Sequence, residues 1–563
     1  QAGSPELHIV LLPGTCSADL ILWESPGQSG AVHTSLSAGE LAMAIPVSDV
    51  RSHVITDPPE ILDTDVAIVG SGMGGGSLAY ALRESGLRVL IVEQGDFLPS
   101  ERENWSFEAV HTQGRYKNSA LWRDAVSGTD FVPGNYHYVG GNTKLYGATL
   151  PRFRECDFGE IEHVDGISPA WPISYDDLEQ YYCQAEQMFQ VHSNKGEDPT
   201  DPWRSQDYPL PGLPHEGAMA RLVDSAKAQG LQPFSAPQAL DHRPGGACVL
   251  CYTCDSFACM VDAKGDADVS AVRPALLDGA GNVQLLTGAE VTRLDTDAAG
   301  RRVTSARILH KGRQIQVRAK RFVLACGAVN TAALLLRSAS CDHPNGLANS
   351  SDQVGRNYMA HITTFFLAID PRRKNEAVYQ KTIGINDWYC SGPTNKYPLG
   401  NVQGLGKLRG PQAKMGKPWV PMPILDEVTK YTVDLFIQSE DLPLPENRVT
   451  LGTGGQITLA RRETNLAAHR ELIAKMKSVV RKAGFPVVLT RSLGVEATSH
   501  QCGTAVMGDD PATSVVDANL RAHDLDNLWI ADTSVFPSSA AVNPAITAAA
   551  LALRLGRSGA LTA

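Results

Sequence analysis

The sequence lacks the features that mark several classes of protein. It has no apolar run of about 18 residues that could span a bilayer, and no internal repeat of fixed period. No basic block is interleaved with aromatic residues, and 61 acidic against 50 basic side chains give a net charge of −11, so nucleic acid is not expected as a partner. The 11 cysteines are an odd number and do not form the dense framework of a small secreted scaffold. A reducing, cytoplasmic location is favoured, although Gln1 in first place leaves a removed leader peptide open.

What the sequence does contain is the composition of a large globular protein. Of its 563 residues, 43% are hydrophobic and 20% are charged, which supplies enough apolar material for a substantial core. The 51 glycines and 34 prolines are dispersed along the chain, which indicates many loops. A chain of this length predicts roughly two to four domain-sized units.

The clearest local pattern is a strand, a glycine-rich turn, a helix and a second strand. Asp65–Val69 is an apolar run typical of a buried strand, Ser77–Ser85 is expected to be helical, and Arg88–Glu93 is expected to form the next strand. A β–turn–α–β unit of this length is typical of a parallel sheet covered by helices.

A second strand–turn–helix unit lies in the middle of the chain. The strand Arg321–Ala325 and the helix Thr331–Arg337 follow a predicted hairpin of Val303–Leu309 and Gln314–Arg318. Residues 360–460 carry many aromatic residues and prolines in alternating stretches, which favours a separate antiparallel sheet. We therefore predict a mixed α/β (α+β) fold in which a Rossmann-like dinucleotide-binding domain is interleaved with a second domain.

The turn after the first strand carries a dinucleotide fingerprint. Gly70 permits a tight turn, Gly72 lets the backbone approach a pyrophosphate, and Gly75 lets the helix pack closely on the strand. The helix N-terminus offers unpaired N–H groups to the phosphates. Glu93 ends the second strand, where its carboxylate could accept hydrogen bonds from ribose hydroxyls and would disfavour the 2′-phosphate of NADP. The fingerprint alone leaves FAD and NAD open.

The rest of the chain resembles the glucose–methanol–choline (GMC) oxidoreductase family, whose members hold FAD in such a fold. The resemblance extends from about residue 63 to the C-terminus. Besides the fingerprint, it depends on Val139–Thr143, Phe322–Thr331, Val354–His361, Ser499–Thr504, Val516–Asp517, Asn527–Asp532 and Asn543–Thr547.

The resemblance implies a bound FAD. Carried over position by position, it assigns further cofactor contacts to Gly140, Gly141, Asn142, Val291, Asp532, Asn543 and Thr547. Val291 would meet the adenine through its backbone, while Asp532 and the helix that starts at Asn543–Thr547 would lie near the ribityl chain and the flavin ring. Some relatives attach FAD to a histidine in the glycine loop. Leu145 stands where that histidine would be, so the FAD is expected to be non-covalent.

The resemblance also suggests a division of the chain. The expected segments are an N-terminal extension (1–62), the FAD-binding domain in two parts (63–150 and 281–360), a substrate or cap segment (151–280), a substrate-binding domain (361–490) and a C-terminal FAD-binding and catalytic segment (491–563).

The expected chemistry is oxidation of a CH–OH group. A base must take the hydroxyl proton while hydride passes to flavin N5, and a histidine has a suitable pKa. By the resemblance, His500 is that base and Asn543 hydrogen-bonds the substrate oxygen. His361 and His523 fall in loops and are not expected to act directly. The substrate would be a sugar, glycoside, nucleoside or other polyol, and oxygen or an electron carrier would reoxidise the flavin.

Four cysteines form a separate cluster, Cys248, Cys251, Cys254 and Cys259. Thiolates at two-residue spacing suit zinc or iron–sulfur ligation, and several dehydrogenase relatives carry an iron–sulfur cluster here to serve a cytochrome partner. Asp262 stands where those relatives place a further cysteine. A metal site, structural cysteines or a local disulfide, and a redox-active dithiol therefore all stay open.

Two other functions also stay open at this stage. A GMC-like lyase or isomerase would keep FAD as a structural group, with His500 as acid and base. An electron-transfer subunit of a dehydrogenase complex, with a cytochrome or small subunit as its partner, would use the cysteine cluster instead.

Overall fold

The computed structural model describes residues 44–251, 254–278 and 281–562, and the backbone of residues 7–10 and 21–24. Most of the expected N-terminal extension therefore lies outside the described residues. The strands of these ranges are β1 (Leu7–Val10), β2 (Ile21–Glu24), β3 (Val54–Ile55), β4 (Ile61–Val69), β5 (Val89–Val92), β6 (Trp122–Asp124), β7 (Asp130–Phe131), β8 (Ile161–His163), β9 (Gly166–Ser168), β10 (Val191–His192), β11 (Phe234–Ser235), β12 (Gln238–Ala239), β13 (Val283–Leu286), β14 (Ala289–Thr296), β15 (Val303–His310), β16 (Arg313–Leu324), β17 (Tyr358–Met359), β18 (Ile362–Ile369), β19 (Ile383–Ile385), β20 (Asn401–Gly404), β21 (Thr432–Ser439), β22 (Arg448–Leu451), β23 (Ile457–Ala460), β24 (Val487–Ser492), β25 (Cys502–Gly503) and β26 (Leu528–Ile530).

The helices of the same ranges are α1 (Val47–Val50), α2 (Met73–Leu82), α3 (Asp176–Phe189), α4 (Gly217–Ala228), α5 (Arg273–Asp278), α6 (Ala328–Arg337), α7 (Gly410–Gly416), α8 (Met422–Thr429), α9 (Leu466–Lys482) and α10 (Ala545–Arg557). In this part of the chain, no helix combines the length and the apolar character that crossing a membrane requires.

The larger sheet has eight strands in the order β14-β15-β16-β4-β5-β13-β3, with β26 also paired to β16. Its centre is parallel, because β4 pairs in parallel with both β16 and β5. All four residues of β5 are buried, as expected for a strand covered on both faces. The strands come from three separated stretches of chain, so the predicted interleaved Rossmann-like domain is confirmed.

One prediction about this sheet was wrong. Gln314–Arg318 and Arg321–Ala325 were expected to be two strands, whereas β16 is a single strand of 12 residues. Its first half pairs antiparallel with β15, and from Gln316 onward it also pairs parallel with β4. The residues between the two expected strands, Ala319 and Lys320, include no glycine or proline that would interrupt the ladder.

The second sheet has six antiparallel strands in the order β11-β19-β20-β21-β18-β24. Helices α4 and α9 contribute buried residues to the same apolar cluster as this sheet, among them Leu222 and Leu472. The antiparallel sheet predicted within residues 360–460 is thus confirmed, although its edge strands come from outside that range.

An aromatic cluster connects the C-terminal segment to the body of the protein. Phe536 packs against Phe153 and Trp171, with ring centroids 5.6 and 4.9 Å apart. The indole Nε1 of Trp171 donates a hydrogen bond to the Ser538 hydroxyl at 2.8 Å. These contacts fix the start of the loop that leads to Asn543.

Candidate active site

A cavity of about 670 Å³ lies between the two sheets. Its floor is formed where β4, β5, β16 and β26 end, the edge at which parallel α/β sheets bind their ligands. Its opposite wall comes from the antiparallel sheet. The volume is within the range of small-molecule and cofactor pockets. The residues that line it include Gly70, Gly72, Glu93, Gly141, Asn142, Leu145, Val291, Phe365, Lys381, Gln403, Phe436, His500, Asp532 and Asn543.

The fingerprint glycines have different physical roles. At Gly70, where φ is +100°, an added Cβ would lie 2.4 Å from the Ala325 carbonyl oxygen, and at Gly75 it would lie 2.0 Å from the Gly70 oxygen. Both positions therefore require glycine for close packing. An added Cβ at Gly72 would meet nothing within 4 Å, because it would project into the cavity. Gly72 is the N-cap residue of α2, so the first N–H groups of the helix lie at this wall.

The second glycine pair lies directly on the fingerprint turn. The Gly140 N–H donates to the Ser71 hydroxyl at 3.1 Å, and an added Cβ at Gly141 would lie 3.2 Å from the Gly72 Cα. Asn142 is exposed, and its Oδ1 accepts from a backbone N–H 2.9 Å away. The two glycine turns, far apart in sequence, thus form one wall.

Leu145, four residues beyond Gly141, is buried in an apolar cluster with Phe257. It also contributes to the cavity wall. The side chain at this position is therefore a hydrocarbon that offers no nucleophile.

Glu93 lies at the cavity wall and is 7% exposed. Its Oε2 accepts from the Ser71 N–H and hydroxyl at 2.9 and 2.6 Å, and its Oε1 accepts from the Gly95 N–H at 3.0 Å. Burial raises the pKa of this carboxyl. The chain's own donors thus orient the carboxylate that was expected to meet a ribose.

Asp532 connects the ends of two strands. Its Oδ2 accepts from the Gly327 N–H and the Thr331 hydroxyl at 2.9 and 2.6 Å, and burial raises its pKa. Val291 lines the cavity from β14, next to a register shift between β14 and β15. The side chain of Thr547 is fully buried, and its hydroxyl is 2.8 Å from that of Tyr182. That side chain belongs to the packing of α10 on α3.

The structure brings His500 and Asn543 together. The Asn543 Nδ2 lies 3.2 Å from the His500 Nε2, and the Asn543 Oδ1 accepts from the Gln403 Nε2 at 3.1 Å. His500 has a φ of +59°, a left-handed conformation that is rare for a residue with a Cβ and that is found more often at functional sites.

The electrostatic surroundings keep His500 neutral. Burial lowers its pKa well below the usual value, and its neighbours His361 and Lys381 act in the same direction. Lys381 is itself buried, with its Nζ 2.7 Å from the Asp255 Oδ1. A neutral imidazole has one nitrogen free to accept a proton, so His500 can act as a base at neutral pH.

Sequence reasoning missed two neighbours of this pair. His361 was not expected to act directly, and its contact with the base was not foreseen: its Nδ1 lies 3.0 Å from the His500 Nδ1. The cation of Lys381 was not anticipated either. His361 is in a segment that carries the family resemblance, which was the one available signal, while Lys381 gave none. His523 contacts the Ser514 hydroxyl and does not line the cavity.

The cysteine cluster does not assemble as a metal centre in the described residues, where no three His, Cys, Asp or Glu side chains are grouped as ligands. Cys254 and Cys259 are free thiols. Burial raises the pKa of Cys259 to about 11, and a hydrogen bond with Cys251, followed by burial, raises that of Cys254. Residues 252–253 lie outside the described part.

Comparison with known proteins gives two family matches. Residues 65–345 match a model described as FAD dependent oxidoreductase, and residues 447–552 match one described as GMC oxidoreductase. The first match spans the two glycine turns, and the second contains His500 and Asn543.

Similar proteins cover almost the whole chain. The chain is 31% identical over 524 residues to the 6'''-hydroxyparomomycin C oxidase of Streptomyces lividus, with 88% of this chain and 90% of the relative covered. It is 28% identical over 542 residues to the fructose dehydrogenase large subunit of Gluconobacter japonicus, covering 88% and 97%. A crystal structure of pyridoxine 4-oxidase from Mesorbium loti superposes with a TM-score of 0.62 at 20% identity, covering 88% and 99%.

Proposed function

The chain belongs to the GMC oxidoreductase family of FAD-dependent alcohol and sugar oxidoreductases, and we propose that it oxidises a CH–OH group of a sugar or related polyol, with His500 as the base. The observation that carries this proposal is the placement of the His500 imidazole and the Asn543 amide, 3.2 Å apart, on the cavity that the dinucleotide fingerprint also lines.

The residues present fit an FAD. The space beside Gly72 is a cradle that a Cβ would fill, and it lies at the start of α2, where a pyrophosphate is favoured. Gly140, Gly141 and Asn142 would flank the flavin, and Glu93 would face the adenosine ribose. When bound, the flavin accepts the hydride that leaves the substrate carbon. Because Leu145 offers no nucleophile, the cofactor is held without a covalent bond.

His500 and Asn543 would bind the reacting hydroxyl between them. The Nε2 of His500 takes the hydroxyl proton, which lets the carbon release its hydride. Asn543 is held by Gln403, so its amide is oriented before the substrate arrives. An oriented group of this kind lowers the entropy that must be lost to reach the reactive geometry.

The cavity wall opposite the fingerprint supports a polyhydroxylated substrate. Amide and charged groups of Gln403 and Lys381 offer hydrogen bonds, while Phe365 and Phe436 offer apolar faces. Sugars combine hydroxyl groups with apolar C–H faces and suit such a wall. The similar proteins include one named an oxidase and one named a dehydrogenase large subunit. The electron acceptor is accordingly oxygen or a carrier, and in the second case a partner subunit would receive the electrons.

An anaerobic reduction screen tests the proposal. Purified yellow protein is mixed with sugars, glycosides, nucleosides and simple alcohols, and the flavin band is followed. We expect at least one sugar or polyol to bleach it. His500→Ala should keep the yellow colour and slow bleaching by about 100-fold or more. His523→Ala is the matched control, because His523 lies away from the cavity, and it should bleach at the parent rate.

Other outcomes would replace the proposal. Turnover of a substrate without bleaching would identify a lyase or isomerase with structural FAD. Neither turnover nor bleaching across the screen would favour an electron-transfer subunit. Equal bleaching rates in His500→Ala and the parent protein would remove the assigned role of His500.

A further inference from the structure

A second buried histidine lies behind His500, on the side away from Asn543. We propose that His361 accepts a proton from His500 during catalysis, so that the positive charge produced by deprotonating the substrate resides on His361. This inference depends on the function proposed above. His361 acts through His500 and is therefore a positioning residue, not one that touches the substrate.

The neighbours of His361 determine where the protons lie before the reaction. Its Nε2 is 3.1 Å from the Ser539 carbonyl oxygen, which can only accept, so this nitrogen carries a hydrogen. A neutral imidazole has a single N–H, so the Nδ1 of His361 is unprotonated. That atom is 3.0 Å from the His500 Nδ1, and the hydrogen between the rings must belong to His500. The Nε2 of His500 is then the unprotonated atom, beside Asn543.

A charged His361 is better satisfied than a neutral one. The Oε1 of Gln438 also lies 3.0 Å from the His361 Nδ1. The Gln438 amide is oriented by its Nε2, which donates to the oxygens of Asn401 and Asn543, each 3.4 Å away. Before the reaction, the Gln438 Oε1 faces the unprotonated Nδ1 of His361 and receives no hydrogen bond from it. Once His361 gains a proton, both of its N–H groups have acceptors, Gln438 and Ser539.

The surrounding charges favour the same direction of transfer. Burial lowers the pKa of His361, but its contacts with Ser539 and Gln438 and the charges of Glu440 and Asp441 oppose this lowering. Lys381 lies on the side of His500 and lowers its pKa further. Arg461, the nearby cation, is paired with Asp441 at 3.1 Å and donates to the backbone carbonyl of His361. A positive charge is thus better accommodated on His361.

The step moves protons only. The substrate O–H bond breaks as the His500 Nε2–H bond forms. The His500 Nδ1–H bond breaks as the His361 Nδ1–H bond forms. His500 stays neutral with its hydrogen on the other nitrogen, His361 becomes an imidazolium, and the substrate oxygen becomes an alkoxide. No electron changes place in this step, so no oxidant is required for it.

The test compares His361→Asn and His361→Gln with His469→Asn. His469 is a fitting control, because it is a buried histidine whose nitrogens contact the Thr364 and Ser439 hydroxyls at 2.8 and 2.9 Å and it does not line the cavity. Each variant is checked for parental FAD absorbance and unfolding midpoint. The pH profile of anaerobic flavin reduction is then measured, with a good bleaching substrate, for kcat/KM and for the limiting rate.

The expected result is a weaker base. Without His361 the proton must stay on His500, whose surroundings disfavour the charge. The acidic limb of the kcat/KM profile should shift by about one unit to lower pH, and the plateau should fall by about tenfold. KM should change less than the limiting rate. The His469→Asn profile should overlay the parent.

Two results would overturn the inference. One is a lower plateau in both His361 variants with an unmoved acidic limb, which would indicate a structural role only. The other is a profile indistinguishable from that of His469→Asn. Failure of the proposed function is recognised separately, because His500→Ala would then bleach as fast as the parent.

Discussion

The contrast between Gly72 and Gly74 gives a prediction that separates cofactor binding from packing. Both lie in the glycine turn at the start of α2. An added Cβ at Gly72 would meet nothing within 4 Å, whereas one at Gly74 would lie 1.7 Å from the Ala531 carbonyl oxygen. A backbone atom cannot rotate away, so α2 or β26 must move by more than about 1 Å to restore van der Waals contact.

The expected magnitudes differ accordingly. Gly74→Ala gains about 1 kcal/mol from helix propensity, but overpacking against backbone costs about 1–3 kcal/mol or more. Because this contact is so short, the cost should be about 3 kcal/mol, the upper end of that range, so we expect a net loss of about 2 kcal/mol in the free energy of unfolding. Gly72 has an ordinary φ of −67°. Gly72→Ala should therefore change this free energy by less than about 0.5 kcal/mol, since a smaller unfolded-state entropy is offset by a poorer N-cap. Its Cβ occupies the pyrophosphate cradle, so FAD affinity should fall at least about tenfold, or about 1.4 kcal/mol.

Two measurements check this pair. Urea unfolding of the cofactor-free proteins, followed through the fluorescence of the 8 tryptophans, reports stability. Quenching of flavin fluorescence reports FAD affinity. The reasoning would be refuted if Gly72→Ala bound FAD as tightly as the parent, or if it lost as much stability as Gly74→Ala.

Three further outcomes are expected. Burial lowers the pKa of His469 to about 4, whereas a histidine in the unfolded chain has a pKa near 6.5. The neutral, buried His469 therefore stabilises the fold by up to about 3 kcal/mol above pH 6.5, and this stabilisation is lost as the pH falls toward 4. As the pH is lowered from 8 to 5, the urea midpoint of His469→Gln should therefore fall less steeply than that of the parent protein. Phe536→Ala should lower the free energy of unfolding, measured in urea, by about 3–5 kcal/mol. A loss under about 1 kcal/mol would contradict the packing of Phe536 against Phe153 and Trp171. The Sγ atoms of Cys156 and Cys390 lie 3.5 Å apart, so mild peroxide should join them in a disulfide seen by peptide mass spectrometry; Cys156→Ser should leave Cys390 free to react with a thiol reagent.

Local signals predicted the parts of the fold that short stretches of chain determine. The apolar run at Asp65–Val69, the glycines that follow it and Glu93 predicted the strand, the turn and the next strand. The spacing of the cysteines from Cys248 to Cys259 did not predict whether they bind a metal, because ligand spacing alone does not determine whether the side chains converge.

Contacts between distant segments account for what the sequence left unpredicted. The need for glycine at Gly74 comes from Ala531, more than four hundred positions later. The contact between His361 and His500 joins residues 139 positions apart, and the hydroxyl of Thr547 contacts that of Tyr182, on another helix. The unbroken strand β16 was also missed, since its partners β4, β15 and β26 come from separate parts of the chain.

The scattered origin of the eight-stranded sheet has a consequence for biosynthesis. Strand β26, near residue 530, pairs with β16, and β16 pairs with β4. Nearly the whole polypeptide must leave the ribosome before this sheet can close, because its last strand is translated so late. Such non-local pairing folds slowly and leaves strand edges exposed in the meantime. Nascent chains that end before residue 528 would lack this strand, so we expect the protein to bind FAD only when its translation is nearly complete.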